Sequence, residues 1–128
     1  MSARQEISLP TRPVLSHAAD AVRANGLLFV AGVLPVDAGG VLVGAGDVVE
    51  QARHVLADLG EILAAGGCSG ADVAAVNVYL TAIEDRPRVE EKLLQSFGGA
   101  RPAGTLVEVR GLAIPGAKIE IDAVAVVR

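Results

Sequence analysis

From Lys118 to Val127 the chain alternates, with Ile119, Ile121, Ala123, Ala125 and Val127 forming an unbroken apolar row at every second position. A period of two marks a strand that lays one face on a core, so the chain is committed to a sheet with an aliphatic inner surface. The opposite row is mixed. Glu120 and Asp122 precede Val124 and Val126, which sets two carboxylates on one face roughly 6 to 7 Å apart along the strand. A carboxyl group among apolar neighbours loses hydration, its pKa climbs toward working pH, and it becomes able to give and take a proton. A purely structural pair would instead be solvated or matched by a basic neighbour, for which Arg110 and Lys118 are the candidates.

The 128 residues suit a single domain spanning 1–128. Hydrophobic residues make up 52% of the chain and aromatic ones 2%, so the core is built from Val, Leu, Ile and Ala, and the chain is globular rather than disordered. The formal net charge is -4 with no basic run, which argues against nucleic acid as a partner, because phosphate neutralisation needs clustered Lys and Arg. Apolar runs such as Leu27 to Ala31 fall far short of the roughly 20 residues that span a bilayer. The opening M-S-A-R-Q-E lacks the basic and apolar regions of a signal peptide. No membrane association and a cytoplasmic location are therefore expected. The single Cys68, in G-G-C-S-G, has no partner for an internal disulfide and reads as an inert thiol. His17 and His54 lie far apart with only that cysteine beside them, so no metal-ligand spacing emerges. Neither A-G-V-L-P nor V-G-A-G-D has the pattern of a phosphate loop.

Alternating elements follow one another without a dividing linker. Leu27 to Ala31 reads as a buried strand ending at Gly32, and Val41 to Val43 as a short strand after the D-A-G-G turn signal. Asp47 opens a helix, with Glu50 three residues on as in a capping box. Val49, Ala52, Leu56, Leu59 and Leu63 line one face before Gly66 and Gly67 end it. His54 lies beside that stripe and is expected to face solvent. Asp72 precedes a β-branched strand, Val73 to Leu80, and a second helix from about Asp85 to Phe97 carries Val89, Leu93 and Phe97 on one stripe, with Glu84 and Arg88 as an i,i+4 pair. Thr105 to Arg110 and the final strand complete an α+β order, ββ-α-β-α-ββ, in which both helices pack on one face of a single sheet.

That arrangement leaves a sheet face uncovered. In the middle strand Ala74, Val76, Val78 and Leu80 are expected to face the helices, yet Val73, Ala75, Asn77 and Tyr79 on the other side are still largely apolar, as are Val124 and Val126. A small protein rarely leaves so extended an apolar face in water, so copies of the chain are expected to bury these faces against one another. The alternative cover is the N-terminal segment up to Asn25, folded across the sheet.

The segments L-L-F-V-A-G-V-L-P-V-D, D-V-V-E-Q-A-R-H-V-L-A-D-L, R-P-A-G-T-L-V-E-V and K-I-E-I-D-A-V-A-V, in this order from about Ser16 to Val127, resemble the RidA/YjgF family of enamine and imine deaminases, once called L-PSP endoribonucleases. None of the segments is specific alone; the series in one chain of this length has few competitors. The resemblance implies a chorismate-mutase-like fold and a homotrimer with pockets at the clefts between subunits. It also implies hydrolysis of a reactive enamine or imine to a ketone and ammonia, without a metal or organic cofactor.

The family's site carries over only in part. Its substrate-carboxylate arginine follows P-A, and that place is Gly104 here. The loss removes a planar charged fork whose buried contact with a carboxylate is worth on the order of 2 to 5 kcal/mol. Arg101, three residues earlier, is a substitute for that anchor or a solvated charge at a helix-to-strand corner. The family's G-P-Y-S corresponds to S-H-A-A, so the pocket-closing aromatic becomes Ala18, and the asparagine often found in the second helix becomes Glu90. Three matches survive: Gly32, the backbone around Leu106, and Glu120 as the water-orienting carboxylate.

His17 is either a proton-transfer or substrate-binding group near the pocket or an ordinary surface histidine. Two functions follow from this inventory. One is a Rid-like deaminase, or related hydrolase or tautomerase, in which Glu120 positions the attacking water, backbone N–H groups near Gly32 and Leu106 steady the intermediate, and Ala18 and Gly104 leave room for a bulkier small-molecule substrate. The other is a trimer that binds a small apolar metabolite or a partner protein without catalysis.

Overall fold

A computed structural model describes residues 4–128. The strands are β1 (Gln5–Ile7), β2 (Ala21–Ala24), β3 (Leu27–Val33), β4 (Val73–Leu80), β5 (Ala103–Glu108) and β6 (Ile119–Val126); the helices are α1 (Val48–Ala65) and α2 (Arg86–Ser96). The strands form one mixed sheet in the order β1-β2-β3-β6-β4-β5. All neighbours are antiparallel except β4 and β5, which run parallel because α2 crosses between them.

The alternating row of β6 is buried as its period demands. Ile119, Ile121, Ala123 and Ala125 are at most 2% exposed and lie under α1 with Leu28, Val33, Leu59, Ile62 and Leu63. On α1 the Asp47 carboxylate accepts from the Glu50 N–H at 3.1 Å. Glu50 does not close the expected box; its side chain instead accepts from Arg53 at 2.9 Å. The helix ends at Gly66, whose carbonyl accepts from Arg23 Nη2 at 2.7 Å, a cation placed where the helix dipole is negative.

Several expectations need correction. The N-terminal segment does not cover the sheet; it extends it edgewise, with β2 paired onto β3 and β1 onto β2. The strand at Val41 to Val43 is only a bridge between Val36 and Leu42, while β3 runs on past Ala31 to Val33 through a bulge. In β4, Val73 is buried and Ala74 exposed, the reverse of the expected facing, because a register shift between Val73 and Ala75 flips the first residues of the strand. On α2 the ion pair joins Arg86 to Glu90 at 3.6 Å, not Glu84 to Arg88.

His54 is also less solvated than its position suggests. Its Nε2 lies 2.7 Å from the Val36 carbonyl and 3.1 Å from Asp58. Asp58 in turn pairs with Arg12, which also reaches Asp20 and is only 7% exposed. This network ties the N-terminal segment to α1. Gln51, fully buried, donates to the carbonyls of Gly44 and Gly116 and accepts from the Lys118 N–H at 2.7 Å, so it pins two loops and the start of β6 to the helix. Cys68 is buried, and burial raises its thiol pKa, which favours the protonated thiol over the nucleophilic thiolate.

Candidate functional site

The even row of β6 carries the carboxylates on the sheet face opposite the helices. Cross-strand pairing places Glu120 beside Tyr79 and Asp122 beside Asn77. Asp122 is held from both sides, accepting from Tyr79 Oη at 2.8 Å and from Asn77 Nδ2 at 2.9 Å. The basic partners expected for this pair, Arg110 and Lys118, engage neither carboxylate among the described residues. Asp122 is satisfied by neutral donors instead.

Glu120 is half-buried and none of the hydrogen bonds or ion pairs of the described residues involves it. Its carboxylate lies against the backbone of Gly32: a Cβ built there would fall 1.9 Å from Oε2 and 2.8 Å from Cδ. Gly32 sits in the β3 bulge between Val30 and Val33, where the strand swings past the paired region of β6. Bulges and strand glycines mark places where backbone approaches another group closely, and here that group is the carboxylate. Burial pushes the Glu120 pKa up, and the negative Asp122 two residues away adds to the rise. Desolvation and a like charge thus give a carboxyl that holds its proton to higher pH than a surface glutamate. The Tyr79 hydroxyl, whose pKa rises mainly through its bond to Asp122, stays a donor.

A second set of predicted residues gathers on the helix side. Between α2 and the neighbouring strands β4 and β5 lies a cavity of about 470 Å³, and Glu90, Arg101, Gly104 and Leu106 all line it. Gly104 and Leu106 pair with Val76 and Val78, the helix-facing residues of β4, which fixes the side of the sheet they occupy. Leu93, Phe97 and Pro102 complete an aliphatic and aromatic wall. β5 is one of the sheet's two edge strands, so one row of its backbone groups has no strand partner.

Within one chain these two sets do not meet. Glu120 and Gly32 belong to the open face, whereas the cavity set belongs to the helix face. His17 and Ala18 are exposed in the loop before β2 and join neither; the Ala18 N–H donates to Ser16 Oγ at 3.2 Å. That loop runs directly into Asp20, whose carbonyl accepts from the Ala31 N–H next to Gly32. Sequence reasoning missed Tyr79 and Asn77 as the clamp on Asp122. Once the β4–β6 pairing is known, their polar side chains on an otherwise aliphatic row are the signal that finds them.

The open face also carries the largest exposed apolar side chains of the sheet. Phe29 is 45% exposed, Val126 44% and Val107 40%, and Phe29 pairs directly with Val124. Among the described residues no helix is long and apolar enough to cross a membrane, and no cluster of His, Cys, Asp or Glu has the makings of a metal site.

The family model described as Endoribonuclease L-PSP matches residues 11–127. The chain is 38% identical over 123 residues to the 3-aminoacrylate deaminase RutC of Acinetobacter baylyi, a match covering 94% of this chain and 97% of that protein. It is 37% identical over 107 residues to the 2-iminobutanoate/2-iminopropanoate deaminase of Capra hircus, covering 83% of this chain and 77% of the relative. Among solved structures, a putative endoribonuclease from Thermotoga maritima superposes with a TM-score of 0.89 at 35% identity, over 97% of this chain and 98% of that one. The YjgF gene product of E. coli superposes at 0.85 with 27% identity, over 97% and 99%. The single mixed sheet with two helices on one face is the chorismate-mutase-like fold of these neighbours.

Proposed function

The chain belongs to the endoribonuclease L-PSP family, that of the RidA/YjgF proteins, and from that premise we propose that it hydrolyses a small reactive imine or enamine in a site completed by two copies of the chain. The observation that carries this reading is the Glu120 carboxyl, seated in the β3 bulge against Gly32 with its pKa raised. Such a group takes a proton from water as the oxygen attacks the imine carbon, then returns it so that nitrogen leaves as ammonia and the carbon becomes a carbonyl. Water is the one co-reactant this balance needs. Backbone N–H groups of the bulge and of outer strand β5 are the donors available to the developing charge.

Assembly supplies what one chain lacks. Phe29, Val107 and Val126 form an exposed apolar band beside Glu120 and Tyr79, and burying it against a second copy would carry that copy's β5 edge and cavity toward the carboxylate. A homotrimer in the cytoplasm is the assembly and compartment we propose. Cleavage of RNA, which the family's description names, fits less well, because the net charge is -4 and no basic run is present. A trimer that binds an apolar metabolite without turnover is favoured over the enzyme by one observation only, the apolar cavity left by Gly104.

The test is ammonia release from imines generated in place by an amino-acid oxidase, followed above the spontaneous rate. Wild type should accelerate release and Glu120→Ala should not; no acceleration by wild type over a panel of imines would remove the enzyme reading. Gly104→Arg should raise activity toward imines of small amino acids if only the anchor is absent, and no gain would favour the binding protein. Light scattering of the purified chain decides the trimer.

A further inference from the structure

We propose that the cavity between α2 and β5 is a specificity pocket for an apolar substrate arm, with Arg101 at its mouth holding the substrate's carboxylate. The substrate class is then the imine of a 2-oxo acid with a branched aliphatic or aromatic side chain. This inference rests on the deaminase reading above, and names the substrate of that same site.

Gly104 is the first reason. Its backbone is not in the left-handed region, and a Cβ built on it would meet Val76 Cγ1 at 3.4 Å, an ordinary contact. The fold therefore does not demand glycine here. What the missing side chain provides is space: it leaves the Val76 wall open to a cavity of about 470 Å³, the size of sites that enclose small organic ligands.

The lining is the second reason. Val76, Val78, Leu93 and Phe97 are core residues at the cavity's base, and Leu106 is partly buried beside them. A surface of this kind gains by taking up hydrocarbon, about fourfold in affinity for each methylene buried.

The third is charge. Arg86 and Glu90 at the mouth answer each other at 3.6 Å. Arg101 also lines the cavity, and none of the hydrogen bonds and ion pairs of the described residues involves it. The mouth therefore presents one uncommitted guanidinium, three residues from Gly104, as a planar fork able to receive a carboxylate. Apolar base and cationic mouth together fit an amphiphilic anion and fit neither a neutral hydrocarbon nor a small polar acid as well.

Calorimetric titration of the full chain with the stable product acids tests this without turnover. The expected result is that 4-methyl-2-oxopentanoate binds at least about tenfold more tightly than pyruvate, with phenylpyruvate also ahead. Arg101→Ala should weaken all three acids roughly tenfold while leaving the neutral 4-methyl-2-pentanone unaffected. Gly104→Val should erase the preference for the larger acids; should that variant not fold, Leu94→Trp narrows the same cavity from an exposed helical position. Equal binding of pyruvate and 4-methyl-2-oxopentanoate, or acid affinities indifferent to Arg101, would overturn the proposal. If wild type releases ammonia from imines with no preference for side-chain size, the pocket assignment falls and the deaminase reading stands. Size- and Arg101-dependent binding with no ammonia release from any imine leaves the pocket standing and removes the deaminase.

Discussion

The two faces of the sheet carry the two residue sets that the proposed site would join, and they are built differently. On the open face the groups are closely set against neighbours: the Glu120 carboxylate packs over the Gly32 backbone, and Asp122 is hydrogen-bonded by Tyr79 and Asn77. On the helix face the residues are permissive. Gly104 offers no side chain, Leu106 only hydrocarbon, and Arg101 a charge held by nothing in its own chain. Groups that handle protons must stay within a fraction of an ångström of one geometry, whereas groups that sort substrates can change with the substrate. In the proposed enzyme the open face would thus supply the chemistry and the helix face the choice of molecule.

Removing the Glu120 carboxyl is the most severe way to break this contrast. Glu120→Gln is expected to lower kcat by about 10²–10⁴-fold, the usual worth of a general acid–base group, measured by ammonia release. The same change should stabilise the protein. A carboxyl whose folded pKa lies above its unfolded value costs nothing below the unfolded value, and stability is lost as pH rises through the folded pKa. For Glu120 the shift is upward, so the stability difference between Glu120→Gln and wild type should be smallest near pH 4 and grow toward pH 7 to 8 in favour of the glutamine variant, as thermal melts across that range would show. A glutamine variant that loses ground toward pH 8 would mean that the charge is satisfied after all.

Gly32→Ala attacks the same half through its support. The added methyl cannot occupy space 1.9 Å from Glu120 Oε2, so the carboxylate must move, and a displacement of this size costs on the order of 10²-fold in rate. Gly104→Ala, the matching change on the helix face, meets only Val76 Cγ1 at 3.4 Å; it should leave stability within about 0.5 kcal/mol of wild type and act on substrate preference alone. Comparable losses of rate in the two variants would erase the distinction between a rigid and a permissive half.

How far the sequence carries this picture depends on which force places each residue. Periodic burial is legible, so the inner row of β6, the stripe on α1 and the span of β4 all follow from spacing. Glu120 stands out because it interrupts an apolar alternation. What spacing does not encode is which strands become neighbours. The bulge that seats Gly32 against Glu120, the shift that turns Val73 inward, and the Tyr79–Asp122–Asn77 clamp all depend on β3, β6 and β4 lying side by side. The short N-terminal strands have too few residues to show a period, and gain their order from pairing, β2 onto β3 and β1 onto β2. Gln51 was hidden for a related reason: a polar residue in a helix reads as surface until the loops at Gly44 and Gly116 close over it.

Gln51 gives a stability test away from both halves yet joined to one of them. Gln51→Leu keeps the volume and removes the amide, leaving the Lys118 N–H and the carbonyls of Gly44 and Gly116 without their partner. The cost should be roughly 1–3 kcal/mol in denaturant unfolding. Because Lys118 leads into β6, the loss of rate should exceed that of a helix-face variant of equal stability.

The smallest expected effect is the most specific. Asp122→Asn keeps one acceptor oxygen, for Asn77, puts an NH2 that can donate to the Tyr79 hydroxyl oxygen in place of the other, and removes the negative charge that helps to raise the Glu120 pKa. If Glu120 must be ionised to receive a proton from water, activity fails as pH falls through its pKa, and that acid limb should move to lower pH in the variant. The limb should not vanish, because desolvation, the larger cause of the shift, remains. Arg101→Ala, on the other face and acting on binding, should leave the limb in kcat where it was and alter KM instead. Should Asp122→Asn leave the limb in place while Arg101→Ala moves it, the charge tuning Glu120 would have to come from the cavity side, and the division of labour between the two faces would be wrong.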